Sequence, residues 1–264
     1  MSRLALVGMV TAAALSSTFV NGPVSASSAA PCGPTAVAHR GGSVGVPEST
    51  MPAYRSALRV GVRVLEADVR MTADGVLVIM HDRTVDRTTD GTGAVRAMTY
   101  RQVRQLDAGH GAKVPRLAAL LRLAKRRNAR LILEVKIPHT TRAEVRRFVR
   151  TVRKAGMVRR TTADSFAAER LALVRATAPA MDRGLVTTRP RRSRTLLRLG
   201  SAVIVRSDVT SGRRVRAWQH AGLYVAAWTA NDRGTWRALN RRGVDAVITD
   251  RPGAYQRWVG RGCR

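Results

Sequence analysis

Two histidines, His39 and His81, close runs of apolar residues and are followed by polar ones, in Val37-Ala38-His39-Arg40-Gly41 and Ile79-Met80-His81-Asp82. An imidazole titrates near neutral pH, so a pair placed this way suits general acid and general base chemistry. Acids also interrupt apolar runs, in Leu65-Glu66-Ala67-Asp68-Val69 and Leu131-Ile132-Leu133-Glu134-Val135-Lys136. Alternation along a strand puts Glu66 and Asp68 on one face, and likewise Glu134 and Lys136. Three converging carboxylates make a hard, oxygen-rich site that suits Ca2+ or Mg2+ far better than zinc. Arg40 and Lys136 would add positive charge for a phosphoryl group. For any one acid or base the plain alternative is a buried ion pair; acids and histidines gathered at several strand ends favour a site. His110, His139 and His220 lack such company and read as surface or loop residues.

These side chains need a scaffold that gathers strand ends. Strand patterns cover 35–39, 64–70, 76–81, 130–137, 161–166, 182–187, 202–207, 223–229 and 244–249. Amphipathic helical patterns cover 52–59, 115–127, 142–154, 167–177, 211–221 and 233–241. Repeated strand and helix alternation over about 230 residues predicts a parallel sheet, most economically an eightfold α/β (TIM) barrel in one domain. An open doubly wound sheet is the runner-up, but no GxGxxG or GxxxxGKS follows a strand. Five residues, Met71 to Gly75, separate the second and third strands, too few for a parallel crossover. Asp74-Gly75 signals a hairpin, with residue 68 facing residue 80, so Asp68 and His81 are predicted to be neighbours.

The chain has 264 residues, 47 basic and 17 acidic, for a net charge of +30. Only four of the bases are lysines; the other 43, arginines, are spread along the whole chain and read first as a codon-composition bias. Aromatics at 4% and the lack of a basic stripe argue against a specific nucleic-acid binder. The charge leaves room for peripheral contact with an anionic membrane or cell-wall polymer. Residues 1–26 read as a secretory leader: Arg3, an apolar run, then Val24-Ser25-Ala26. Cleavage after Ala26 would leave 27–264 as a secreted domain with charge +29, Arg3 being lost. The two cysteines, Cys32 and Cys263, stand at opposite ends of that domain. A closed barrel brings its termini together, so a single disulfide is expected, with two free thiols as the alternative.

As a set, the chemistry-bearing segments resemble the glycerophosphodiester phosphodiesterases. The matching pieces are His39-Arg40-Gly41, Pro47-Glu48-Ser49-Thr50, Glu66-Ala67-Asp68-Val69-Arg70, His81-Asp82, Arg87 to Gly93, Pro115-Arg116-Leu117, Glu134-Val135-Lys136, Ser165-Phe166, Trp228-Thr229-Ala230-Asn231 and Thr249-Asp250-Arg251-Pro252. The resemblance implies a TIM (β/α)8 barrel of the phospholipase C-like phosphodiesterase type, with a small insertion over its mouth at about 83–111. It implies a hydrolase taking glycerophosphodiesters to glycerol 3-phosphate and an alcohol with one divalent cation; separately, the chain is expected to be a monomer. Glu66, Asp68 and Glu134 would hold the metal and His39 and His81 would be the acid–base pair. Arg40 and Lys136 would contact the phosphate, Glu48 would line the site and help hold metal or substrate, and Trp228 would form part of the wall around the glycerol. Ser49 and Arg116 replace the family's usual Asn and Thr, which touches substrate fit and no proposed ligand. The nearest rival is a lysophospholipase D or sphingomyelinase D-like reaction on the same scaffold. That reaction needs an apolar trough, and the sequence displays no aliphatic or aromatic loop to build one.

Overall fold

Nine strands and nine helices alternate along residues 32–137 and 141–263, the residues described by this computed structural model. The leader expected at 1–26 and His139 lie outside them. The strands are β1 (Thr35–Ala38), β2 (Val64–Met71), β3 (Leu77–Ile79), β4 (Arg130–Val135), β5 (Thr161–Ser165), β6 (Asp182–Thr187), β7 (Ala202–Arg206), β8 (Tyr224–Trp228) and β9 (Ala246–Thr249). All but β3 run parallel, and β1 pairs with both β2 and β9, closing an eight-stranded barrel. Each expected strand is present to within two residues at either end. The extra one is the antiparallel hairpin partner of β2, with Val69 opposite Ile79 and the Met80 amide donating to the Asp68 carbonyl at 3.0 Å. This is the predicted register, and it sets His81 beside Asp68.

The helices are α1 (Met51–Arg59), α2 (Tyr100–Val103), α3 (Leu117–Arg126), α4 (Arg142–Lys154), α5 (Ala168–Thr177), α6 (Ser193–Leu199), α7 (Gly212–His220), α8 (Arg233–Arg242) and α9 (Pro252–Gly260). Their starts are written locally: Thr50, Thr141, Ser211 and Asp232 each cap the first turn by accepting a backbone N–H. Three were not anticipated. α2 is a single turn, α6 carries few apolar residues among arginines, and α9 is flanked inside by Gly253 and Gly260, so helical periodicity is faint in all three.

The core has two layers. Between sheet and helices, Leu65, Leu120, Phe148, Leu171, Trp218 and Trp258 are fully covered, each large side chain contributing about 1.5–3 kcal/mol by burial. Inside the barrel, Val37, Ile132, Val186, Ile204, Ala226, Ala246 and Ile248 fill the floor. A third cluster, with Val78, Met80, Val85, Val95, Val103 and Val114, packs the 83–111 segment against β3. Cys32 and Cys263 form the expected disulfide, their Cα atoms 5.9 Å apart, tying the chain before β1 to the chain after α9.

Candidate active site

The parallel register sets three carboxylates side by side. Asp68 on β2 is level with Glu134 on β4, and Glu134 with Asp164 on β5. Period-two alternation adds Glu66 one step below Asp68 and Lys136 one step above Glu134 on the same inner face. The row stops at β6, where Gly184 is level with Asp164 and the Ile204 side chain crosses the space a side chain would need. The acids therefore gather on one half of the barrel.

Two cations answer four carboxylates. Lys136 Nζ lies 2.9 Å from Asp68 Oδ1 and 3.3 Å from Glu134 Oε2. Arg40 Nε lies 3.3 Å from Asp68 Oδ2, close enough for an ion pair but without hydrogen-bond alignment. Although burial alone would raise it, the Asp68 carboxyl is held below its ordinary pKa by Lys136 and Arg40. The others go the opposite way. Burial first, then the charges of Asp68 and Asp164, pushes Glu66 well up. Burial and Asp68, against Lys136, push Glu134 up to about 7. Burial and the Glu134 charge raise Asp164, whose Oδ1 has no hydrogen-bond partner among the described residues.

Each histidine is oriented through Nδ1. His39 sits in the tight turn after β1, where Arg40 takes φ 53 and Gly41 φ 83. A Cβ at Gly41 would strike Ala53 and the Tyr54 amide, so this turn requires glycine. The turn aims the Arg40 amide at Glu66 Oε2, 2.9 Å away. His39 Nδ1 meets Asp250 Oδ1 at 2.6 Å, and Asn231 donates to the other oxygen of Asp250 at 2.6 Å. Burial would raise Asp250, yet the His39 hydrogen bond and charge hold it below the usual carboxylate range. His81 Nδ1 meets Asp82 Oδ1 at 2.6 Å, and Arg87 clamps the other oxygen of Asp82. Arg70 donates to the His81 carbonyl at 3.0 and 2.6 Å and to the Lys136 carbonyl at 3.1 Å, fixing both backbones. Desolvation lowers the His81 pKa against the pull of Asp68 and Asp82. In both rings a carboxylate on Nδ1 leaves Nε2 for the pocket.

That pocket, about 140 Å³, is lined by the expected residues His39, Arg40, Glu66, His81, Glu134, Lys136 and Trp228. Two others stand differently. Asp68 lies beneath the lining, 1% exposed, behind its two cations. Glu48 bridges Arg40 (3.1 Å) and Arg87 (2.7 Å) from outside and lines a second groove, of about 490 Å³, against the 83–111 segment. Asp164, Asp250, Arg70 and Phe166 were not picked out as site residues from the sequence. In the sequence Arg70, Phe166 and Asp250 stand only within matching motifs, and Asp164 declares itself only through its register with Glu134. The expected wall residue Trp228 is joined by further apolar side chains. Phe166 is 49% exposed, stacks edge-on against Trp228 at 5.7 Å, and faces the pocket with Val186, Ile204 and Ile248. One residue from each of five strands or strand ends builds this wall, so no single loop announces it.

Among the described residues no three Asp, Glu, His or Cys side chains stand around one point as a metal centre; Lys136 lies between Asp68 and Glu134 instead. The donor chemistry nonetheless fits a hard cation. Four carboxylates face two cationic side chains, two carboxylate oxygens are buried without a hydrogen bond, and burial, with the charges of neighbouring carboxylates, raises the pKa of three of the carboxyls.

Known proteins resemble this chain in sequence and fold. A glycerophosphodiester phosphodiesterase of Caldanaerobacter subterraneus subsp. tengcongensis is 28% identical over 228 residues, covering 82% of this chain and 93% of its own. The crystal structure of a glycerophosphodiester phosphodiesterase from Agrobacterium tumefaciens superposes with a TM-score of 0.75 at 31% identity, covering 85% of this chain and 99% of that one. An Oleispira antarctica phosphodiesterase in complex with the product sn-glycerol-3-phosphate superposes with a TM-score of 0.81 at 26% identity, covering 86% and 97%. The sequence pattern of the glycerophosphoryl diester phosphodiesterase family extends over residues 39–254, from the first pocket histidine past its Asp250 partner, and this chain belongs to that family.

Proposed function

We propose that this enzyme, which hydrolyses glycerophosphodiesters to glycerol 3-phosphate and an alcohol, does so outside the cell by paired histidine catalysis assisted by a divalent cation. The observation that carries the reading is two imidazoles, each fixed at Nδ1 by its own carboxylate, lining one pocket with Arg40, Lys136 and a carboxylate row. The Oleispira neighbour holds sn-glycerol-3-phosphate, which supports the same product here. Ca2+ or Mg2+ held by Glu66, Asp68 and Glu134 would supply neutralisation of the charge that develops on the phosphate.

The side chains account for the rest. Arg40 and Lys136 bind and orient the phosphodiester, and Trp228 with Phe166 covers the carbon face of the glycerol. One imidazole takes the proton of the attacking hydroxyl as the new P–O bond forms: attack by water gives glycerol 3-phosphate directly, and attack by the glycerol 2-OH gives a cyclic phosphate that water then opens to glycerol 3-phosphate. The other gives a proton to the alcohol oxygen as the old P–O bond breaks. Asp250 and Asp82 keep each ring in the tautomer and orientation this exchange requires. Export is supported by the leader-like 1–26 and by the Cys32–Cys263 bridge, which persists in an oxidising compartment.

Turnover of glycerophosphocholine, read by detection of glycerol 3-phosphate with added calcium, magnesium or EDTA, tests this scheme. Chelation is expected to stop turnover and one of the two ions to restore it. Unchanged turnover in EDTA would remove the cation from the mechanism.

A further inference from the structure

Charge is divided unevenly between the two ends of the barrel. In this architecture strand C-termini and helix N-termini share the mouth, while strand N-termini and helix C-termini share the base. Of the 17 acidic residues, all but Asp182 and Asp245 belong to the mouth end: to the hairpin and insertion, to strand ends, or to first helical turns. Both exceptions are engaged. Asp182 faces Arg130 at 3.6 Å, and Asp245 accepts from Gln219 and the Val225 amide.

The bases of the hairpin, the insertion and the pocket thus stand among carboxylates; Arg189, Arg191, Arg192 and Arg194 before and at the start of α6 do not, and at the base only Arg130 faces an acid among the ion pairs of the described residues. One basal group joins the end of α3, with Arg126 and Arg127, to the end of α4 and the turn into β5, with Arg153, Lys154, Arg159 and Arg160; all are exposed. The group is continuous with its neighbours, since Arg153 donates to the Thr177 carbonyl at the end of α5 and Arg175 to the Arg198 carbonyl at the end of α6. Helix dipoles favour bases in a last turn. They do not account for Arg159 and Arg160, which lie beyond α4, or for Arg63 and Arg130, where strands begin.

We propose that this basal face docks on the anionic headgroups of a lipid bilayer, turning the mouth toward water. Two of the five exposed large hydrophobic side chains, Val60 and Tyr224, sit at the same end, as an interfacial apolar contact would need. A single exposed tyrosine is too little for the successive stacking that single-stranded nucleic acid uses. The orientation suits the substrate. A glycerophosphodiester without acyl chains dissolves in water, and the class of reaction that supplies it, deacylation of glycerophospholipids, takes place at a lipid surface.

Sedimentation with vesicles of phosphatidylcholine alone, or mixed equally with phosphatidylglycerol, reads this at about 0.15 M salt, where the Debye length is about 8 Å. Only the mixed vesicles are expected to carry the protein down, with release at high salt. Changing Arg126, Arg127, Arg153, Lys154, Arg159 and Arg160 together to Gln is expected to weaken binding by about 100-fold or more. Changing six exposed mouth-side bases, Arg189, Arg191, Arg192, Arg194, Arg213 and Arg233, to Gln is expected to weaken it by less than about tenfold. Glycerophosphocholine turnover, unchanged in both, certifies folding; because binding is the readout, failure here is distinct from failure of the proposed chemistry. Equal losses in the two variants would overturn the docking face. So would binding to a soluble poly(glycerol phosphate) as tight, per phosphate, as to vesicles, or turnover blocked when the protein is vesicle-bound.

Discussion

The two walls of the pocket come from two halves of one barrel, and they are built to opposite rules. From β1 to β5 the inner face carries Glu66, Asp68, Glu134, Lys136 and Asp164, with a histidine just beyond β1 and another just beyond β3. From β6 to β9 it carries Gly184, Val186, Ile204, Trp228 and Ile248. The polar wall is held by ion pairs whose partners reach it from other elements; the apolar wall is held by packing. A phosphodiester is itself divided this way, with an anionic centre and carbon arms, and each wall answers one part. Loss of a polar-wall group should therefore fall on the chemical step, and loss of an apolar-wall group on binding.

The largest test of that division is removal of an imidazole. His39→Ala and His81→Ala are each expected to lower kcat for glycerophosphocholine by about 100-fold or more, with KM little changed. A loss under about tenfold in either variant would take that ring out of proton transfer.

A smaller loss is expected one step behind the rings. Asp250→Asn keeps the shape of the group on His39 Nδ1 but removes the charge that favours Nδ1–H. It is expected to reduce kcat by about 10- to 100-fold, again at nearly constant KM. Arg87→Ala should have a milder effect, about tenfold or less, because Asp82 still reaches His81 without its clamp and Arg87 is 51% exposed. Steady-state kinetics over a range of pH checks both. If Arg87→Ala exceeds Asp250→Asn, the insertion governs the site more than the barrel does.

Much of the polar wall is legible in the chain because its residues break local patterns. An acid inside Leu-x-Ala-x-Val, or a histidine closing Val-Ile-Met, contradicts the burial around it, and the Asp74-Gly75 turn gives the pairing that sets Asp68 near His81. The remainder depends on contacts between distant segments. Asp164 sits in Thr-Thr-Ala-Asp-Ser, where a lone acid among polar residues looks ordinary until β5 is aligned on β4. Asp250 lies 211 positions from the histidine it orients. Glu48 is expected to line the site but faces the outer groove, where Arg40 and the insertion's Arg87 both hold it. The apolar wall escapes sequence reading for a different reason. Its members are ordinary strand residues, and only barrel closure turns them toward one cavity.

The smallest expected effect separates the two walls most sharply. Phe166 stands half-exposed at the end of β5 and touches the pocket through its edge-on contact with Trp228. An aromatic contact of this kind contributes about 0.5–1.5 kcal/mol beyond simple burial. Phe166→Ala is therefore expected to raise KM by about 2- to 10-fold with kcat within about twofold of the parent. The comparison of glycerophosphocholine with a lysophospholipid shows what the wall is for. If it covers only the glycerol, the substitution weakens the deacylated substrate and the parent prefers that substrate. If it is instead the start of an acyl trough, the lysophospholipid is turned over faster by the parent and loses more on truncation. A drop in kcat comparable to that of His39→Ala would dissolve the division, because it would place an apolar group in the chemical step itself.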